Sequence, residues 1–233
     1  MIDERLDRLE IVIGEHGIKT LKSKKIIVFG VGGVGGYVCE FLVRSGIENL
    51  TIVDFDVISQ SNLNRQIVAL ASNVGCAKVD EMKKRLLSIN PQATITAINE
   101  KLSNNCECFL LKDYDYIIDA IDNVTSKVNL IKYCNENSLN LICSLGTGNR
   151  FGIPSFKICD VFETSNDVFA SKMRSLLRKV NVTSQTVCFC EVAPQKSARL
   201  GSSVQFPCAA ACCITGYVME QLIKEDKWWK LNI

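Results

Sequence analysis

The chain has 233 residues, of which 47% are hydrophobic and 22% charged, and its 27 Lys+Arg against 25 Asp+Glu leave a formal net charge of +2. That composition excludes intrinsic disorder and a generally basic nucleic-acid coat, and the length is enough to bury a real core. Asp3, Glu4, Arg5, Asp7 and Arg8 stand where an export signal would be apolar, and the longest apolar run, residues 207–219, is too short to span a bilayer.

In chain order, residues 3–16 place Leu6, Leu9, Val12 and Ile13 at helical intervals between charges, which predicts an amphipathic helix. Residues 25–29 (KIIVF) are apolar and β-branched and end at Gly30, the pattern of a buried parallel strand. A helix over 34–45 is stopped by Gly46, and a strand over 49–54 (NLTIVD) follows. After a polar loop, a helix over 78–89 stops at Asn90-Pro91. Next come a strand over 94–99, a short helical stretch over 107–112, a strand over 116–120, a helix over 126–137 and a strand over 139–143.

Strands alternating with helices through short connections predict an α/β fold, a Rossmann-like doubly wound and mostly parallel sheet. Beyond residue 150 the rhythm changes to a strand over 156–162, a basic helix over 167–179, a strand over 186–191 and a closing helix over 207–224. These predict that antiparallel strands continue the sheet in the C-terminal half. With no internal repeat or linker, the expectation is one domain. Residues 1–150 form its nucleotide-binding region, N-terminal helix included, and residues 151–233 a substrate- and dimer-facing region.

The twelve cysteines include the close pairs Cys106/Cys108, Cys188/Cys190 and Cys212/Cys213, but no CxxC. Structural zinc usually takes two CxxC pairs. Cys39, Cys143, Cys159, Cys212 and Cys213 sit in apolar runs and read as small hydrophobes. The expectation is a reduced, cytoplasmic protein with no membrane association.

Gly30-Val-Gly32-Gly33-Val-Gly35 fits GxGxxG between a strand and a helix. Such glycines allow a tight turn, let backbone N–H groups approach phosphate and seat the helix close to the strand. Asp54, about twenty residues on, stands where a carboxylate can bind ribose hydroxyls. Alone, this would suggest a nicotinamide-dependent dehydrogenase. Phe55, Asp56 and the run Ser61-Asn62-Leu63-Asn64-Arg65-Gln66 argue otherwise. Chemistry at the α-phosphate of ATP needs cations and amides there to hold the triphosphate and neutralise charge.

With Lys78, Ile89-Asn90-Pro91 and Asp119-Ala-Ile-Asp122-Asn123 added, the first 150 residues resemble the ThiF/MoeB/HesA superfamily of adenylating enzymes. The resemblance implies that Gly30, Gly32, Gly33, Gly35, Asp54, Asp56, Ser61, Asn62, Leu63 and Asn64 belong to the ATP site. It also implies that Arg65 and Lys78 hold the phosphates, that Asp122 sits near Mg²⁺ and the α-phosphate, and that Asn123 lies beside the adenosine. Arg8 resembles an arginine finger that reaches into the other subunit of a homodimer; Arg5 is its competitor. The bland reading makes Asp122 a helix cap at Ser126 and Asp119 a satisfied strand-end acid.

Residues 144–150 (SLGTGNR), 160–167, 173–179, 187–194 and 200–202 resemble one branch of that superfamily, the tRNA threonylcarbamoyladenosine dehydratases. Val168, Gln205-Phe206-Pro207 and the cysteines at 208, 212 and 213 depart from the branch's pattern. The resemblance implies tRNA as substrate, with the basic stripe Lys172, Arg174, Arg178 and Lys179 facing its backbone, as phosphate contacts require. It also implies adenylation of a carboxylate followed by ring closure, with no catalytic cysteine. His16, the lone histidine, reads as a helix-end cap. Three readings stay open beside this one: activation of the C-terminus of a ubiquitin-like sulfur carrier, with a sulfur-transfer partner protein; a Rossmann dehydrogenase, which NAD binding would reveal; and a non-catalytic nucleotide-binding protein.

Overall fold

The structure, a computed structural model, describes residues 3–102 and 106–224. Its elements in order are α1 (Asp7–Ser23), β1 (Lys25–Phe29), α2 (Gly35–Arg44), β2 (Asn49–Val53), α3 (Lys78–Ile89) and β3 (Thr94–Ile98). After them come β4 (Tyr116–Asp119), α4 (Val124–Glu136), β5 (Leu141–Ser144), β6 (Phe156–Asp160), α5 (Val168–Lys179), β7 (Thr186–Cys190) and α6 (Gln205–Ile223). They form one seven-stranded sheet of order β3-β2-β1-β4-β5-β7-β6. The first five strands run parallel, β7 joins β5 parallel, and β6 closes the edge antiparallel to β7. The predicted antiparallel continuation is therefore the β6–β7 pair, with β7 inserted ahead of β6.

Alternate strand residues feed two cores, as the two-residue period requires. Ile26, Val28, Leu50, Ile52 and Ile118 pack under α1, α2, α3 and α6. Ile27, Phe29, Val53, Ile117 and Cys143 pack under α4, α5 and the short 3₁₀ turns at Glu107–Phe109 and Leu111–Asp113. Both faces are covered, which is why the parallel strands read as unbroken apolar runs.

Two sequence expectations change. The N-terminal helix runs on past residue 16 to Ser23. Gly14, at φ 68, breaks it into two segments, and the second buries Gly17, Ile18 and Leu21. The apolar run at 207–219 belongs to a longer helix, α6, whose length and mean hydropathy of 1.3 suffice to cross a membrane. Here α6 is a core helix. It buries Phe206, Ala210, Ala211, Ile214 and Val218 and packs on α2, α1 and the β6–β7 edge.

Candidate active site

The sheet grows in opposite directions from β1 and β4, so the loops leaving their carboxyl ends part and open a crevice. A cleft of about 960 Å³ lies there. Its floor is the loop between β1 and α2. Gly30 has φ +88, and a Cβ on it would lie 2.7 Å from the Ala120 carbonyl oxygen. A Cβ on Gly35 would lie 1.8 Å from the Gly30 oxygen. The protein's own backbone demands these two glycines. Gly32 and Gly33 differ: the nearest atoms to their Cβ positions are Gln66 Nε2 at 3.9 Å and Pro207 Cβ at 3.3 Å. Both line the cleft, whereas Gly35 lies behind it as a packing residue.

Asp54 is buried at the end of β2, where Oδ2 accepts from the Val31 N–H at 2.6 Å and Oδ1 from the Asp56 N–H at 2.8 Å. The carboxylate thus pins the glycine loop to the next turn, and each oxygen keeps acceptor capacity toward the cleft. Lys78 opens α3. Its buried ammonium donates to Asp56 Oδ2 at 2.7 Å, and its backbone N–H donates to the Asp56 carbonyl at 3.0 Å. Arg65 reaches past Gly33 and donates to the Ser61 carbonyl at 2.6 Å and Asn64 Oδ1 at 3.0 Å. Asn62 is buried and accepts from the Ser59 N–H at 3.0 Å. Ser61, Leu63 and Asn64 shape this turn without lining the cleft; Asn64 donates to the Ser202 carbonyl at 2.9 Å.

On the opposite side, Asp122 is exposed in the cleft with no protein partner for its carboxylate among the described residues. Asn123, not Asp122, caps α4, accepting from the Ser126 N–H at 3.0 Å. Beneath them Asp119 is no ordinary strand-end acid. It pairs at 2.8 Å with Lys127 of α4, both side chains 0% exposed, and it accepts the Ile121 N–H at 2.9 Å. A buried pair of this kind holds the turn that presents Asp122 and Asn123.

The far wall is the loop after β5, clipped by Arg150. Its guanidinium donates to the Val192 carbonyl at 2.6 Å, to the Gly146 carbonyl and to Asp167 Oδ2 at 2.5 Å. Asp167 also caps α5 through the Ala170 N–H at 2.7 Å. Asn149, at φ 57, donates its backbone N–H to the Gly201 carbonyl at 2.8 Å, and its side-chain Oδ1 accepts from the Gly201 N–H at 2.5 Å.

The basic helix α5 corrects the expected stripe. Lys172 lines the cleft, and Lys179 is exposed at the far end of the helix. Arg174 and Arg178 lie on a different face. Arg174 donates to the Thr164 carbonyl at 2.9 Å and to its hydroxyl, and Arg178 stacks 5.1 Å from the Phe162 ring centroid. Both arginines hold the turn ahead of α5. Arg8 is exposed on α1 and does not line the cleft of its own chain, and Arg5 pairs with Asp3 at 2.7 Å. His16 is exposed two residues after the break at Gly14, in the first turn of the second segment of α1.

None of the twelve cysteines forms a disulfide, and burial pushes the Cys106 thiol up to about 11 and Cys134 to about 12. Among the described residues no three His, Cys, Asp or Glu side chains are placed to hold a metal.

The ThiF family matches residues 5–205. This chain belongs to the ThiF family. Among ThiF relatives it is similar to the tRNA threonylcarbamoyladenosine dehydratase of Haemophilus influenzae, 42% identical over 160 residues, 68% of this chain and 61% of that protein. The Bacillus subtilis enzyme of the same name is 38% identical over 179 residues, 76% and 70% of the two chains. Thus the chain spans about two thirds of the length of these curated relatives. The solved E. coli enzyme TcdA, in complex with ATP, superposes with a TM-score of 0.90 at 28% identity, covering 96% of each chain.

Three residues lining this ThiF-family cleft, and Lys127 buried beneath it, receive no role from sequence reasoning. Gln66 is buried beside Gly32 with an unpartnered Oε1, and Lys127, Arg150 and Asp167 belong to the two buried ion pairs. Their signal in the sequence is a charge set among apolar or glycine-rich neighbours, which marks a buried partner without saying which one.

Proposed function

We propose that the chain is an ATP-dependent tRNA threonylcarbamoyladenosine dehydratase acting as a cytoplasmic homodimer. The observation that carries the ATP half of this reading is the convergence of Arg65, Lys78 and Asp122 around a glycine floor with room above Gly32. The named relatives support the acceptor.

In this reading the threonyl carboxylate attacks the α-phosphorus of ATP, forming an acyl–oxygen–phosphorus bond and releasing pyrophosphate. A nitrogen or oxygen of the carbamoyl group then attacks the acyl carbon and expels AMP, and in either case the proton lost comes from a carbamoyl N–H, so the base loses one water overall. Lys78, released from Asp56, and Arg65 neutralise charge on the phosphates as it shifts toward the leaving group. Mg²⁺ with a triphosphate sits on one or two carboxylates and completes its shell with phosphate oxygens and water, which the unengaged Asp122 fits. Bound there, the ion supplies further charge neutralisation. Asp54 and Asn123 orient the nucleoside end. No step requires a protein nucleophile, in keeping with the raised buried thiols.

Incubation of hypomodified tRNA with MgATP and mass spectrometry of its nucleosides tests the reading. The expected product is lighter by one water, with AMP released in equal amount. Lys78→Ala and Asp122→Ala should each lower turnover by at least a hundredfold while cooperative thermal unfolding is retained. Adenylation of a ubiquitin-like carrier's C-terminal glycine, without any change in tRNA, would favour the sulfur-carrier reading instead.

Arg8 completes the site from the second subunit in this proposal. Mixing inactive Arg8→Ala with inactive Asp122→Ala protein, after verified subunit exchange, should restore about a quarter to a half of wild-type activity. No recovery would remove Arg8 from the site.

A further inference from the structure

Beside the cleft mouth, four apolar side chains stand in solvent: Phe151 at 77% exposed, Ile153 at 89%, Val168 at 84% and Leu200 at 85%. Single exposed apolar residues need no explanation, but these lie on three loops that the structure ties together. Arg150 links the 146–150 loop to Asp167, next to Val168. Asn149 links it to Gly201, and Leu200 lies against Gly148, where an added Cβ would meet its Cδ1 at 2.7 Å. Val168 and Leu200 line the cleft itself, together with the half-buried ring of Phe169. Three cations, Lys172, Lys196 and Arg199, surround this lip, and none has an acidic partner among the described residues.

Apolar and aromatic side chains among unpaired cations form the chemistry that holds single-stranded nucleic acid. Bases stack on the apolar groups while phosphates meet the charges, in a way a duplex cannot match because its bases are already stacked. We propose that the lip formed by Phe151, Ile153, Val168 and Leu200 seats the unstacked bases flanking the purine that enters the cleft, with Lys172, Lys196 and Arg199 on the neighbouring phosphates. The occupant is thus a single-stranded RNA loop, because the cations favour a polyanion and because the lip is continuous with the site where the purine reacts. This rests on the RNA reading of the cleft. It moves the main RNA contact from Arg174 and Arg178, which are engaged with Thr164 and Phe162, to the loops.

The test compares wild type, Phe151→Ser/Ile153→Ser and Lys172→Gln/Arg199→Gln in filter binding at several salt concentrations. The probes are an anticodon stem–loop RNA with an adenosine just 3′ of the anticodon and a duplex RNA of equal length. ATP binding is followed in parallel. The expected result is stem–loop binding weakened at least tenfold by the apolar double variant, with its salt slope and ATP affinity unchanged. The charge double variant should flatten the salt slope by about 0.7 for each phosphate that is no longer neutralised. Wild-type affinity in the apolar variant overturns the lip. So does a change in sedimentation without a change in RNA affinity, which would assign the lip to a second copy of the chain. If wild type binds neither RNA while ATP still binds, the RNA reading itself fails along with the lip.

Discussion

The two sides of the cleft are fixed by different means. The ATP side is shaped by backbone contacts that leave no space for a side-chain atom, as at Gly30 and Gly35. The far wall is held by the side-chain hydrogen bonds of Arg150, Asp167 and Asn149. A site built from steric exclusion has few tolerated variants, whereas a wall clipped by hydrogen bonds can shift by replacing its clips. The chemistry common to adenylation therefore sits on the rigid side, and the part that meets an acceptor sits on the adjustable one.

The largest effect should come from Gly35→Ala. An added carbon 1.8 Å from the Gly30 oxygen cannot be accommodated without moving α2 off β1, so no soluble folded protein is expected. Gly32→Ala, with nothing nearer than 3.9 Å, should unfold within about 0.5 kcal/mol of wild type yet lose ATP binding. Equal stability losses for the two would erase the distinction between packing glycines and ligand glycines. Differential scanning fluorimetry and nucleotide titration measure both.

Next in size is Lys127→Met, which sharpens the comparison because the ATP side has side-chain clips as well, this buried pair among them. Leaving Asp119 buried without its cation should cost about 3–5 kcal/mol, as breaking a buried pair usually does. Replacing both partners together, Asp119→Leu/Lys127→Met, should return part of that stability, since a buried pair can be worth little more than well-packed apolar groups. Chemical denaturation of single and double variants reads the difference. A double variant no more stable than the single would mean that Asp119's bond to the Ile121 N–H dominates.

Arg150→Met breaks the other buried pair, so its stability loss should also be about 3–5 kcal/mol, towards the lower end because Asp167 keeps its cap on Ala170. The KM for tRNA should rise while the affinity for ATP stays constant. A matching loss of ATP affinity would show that the two sides are mechanically one unit.

What the sequence discloses depends on the range of the cause. Strands such as KIIVF and the helix over Lys78–Ile89 are written in local pattern, and their ends agree with the structure. The second half of α1 is missed because the helical pattern read over 3–16 has its last apolar position at Ile13. Ile18 and Leu21 find a core beyond the break at Gly14. The insertion of β7 between β5 and β6 is a long-range choice with no local signature. The same limit applies within the site. Gly32, Gly33 and Asp54 are legible from the GxGxxG spacing, Lys78 and Asp122 only through the family resemblance, and all five line the cleft. The motif also assigns helix packing to its last glycine, Gly35, as found, but spacing does not reveal that Asn123 takes the cap or that Arg174 is engaged with Thr164. Each of those depends on which group lies opposite in space.

The reversed direction of β6 has a consequence for how this cleft is inherited. Because β6 starts beside Cys190 at the end where β5 and β7 finish, the connection into it and the segment after β7 both open onto the same rim. The whole acceptor wall therefore comes from one uninterrupted stretch, residues 145–204, joined to the rest of the fold through the short β5–β7 pairing, α5 on α4 and the β6–β7 edge on α6. Such a stretch behaves as a cassette: it can be exchanged or remodelled as a block, giving the same source of activation energy a different molecule to activate.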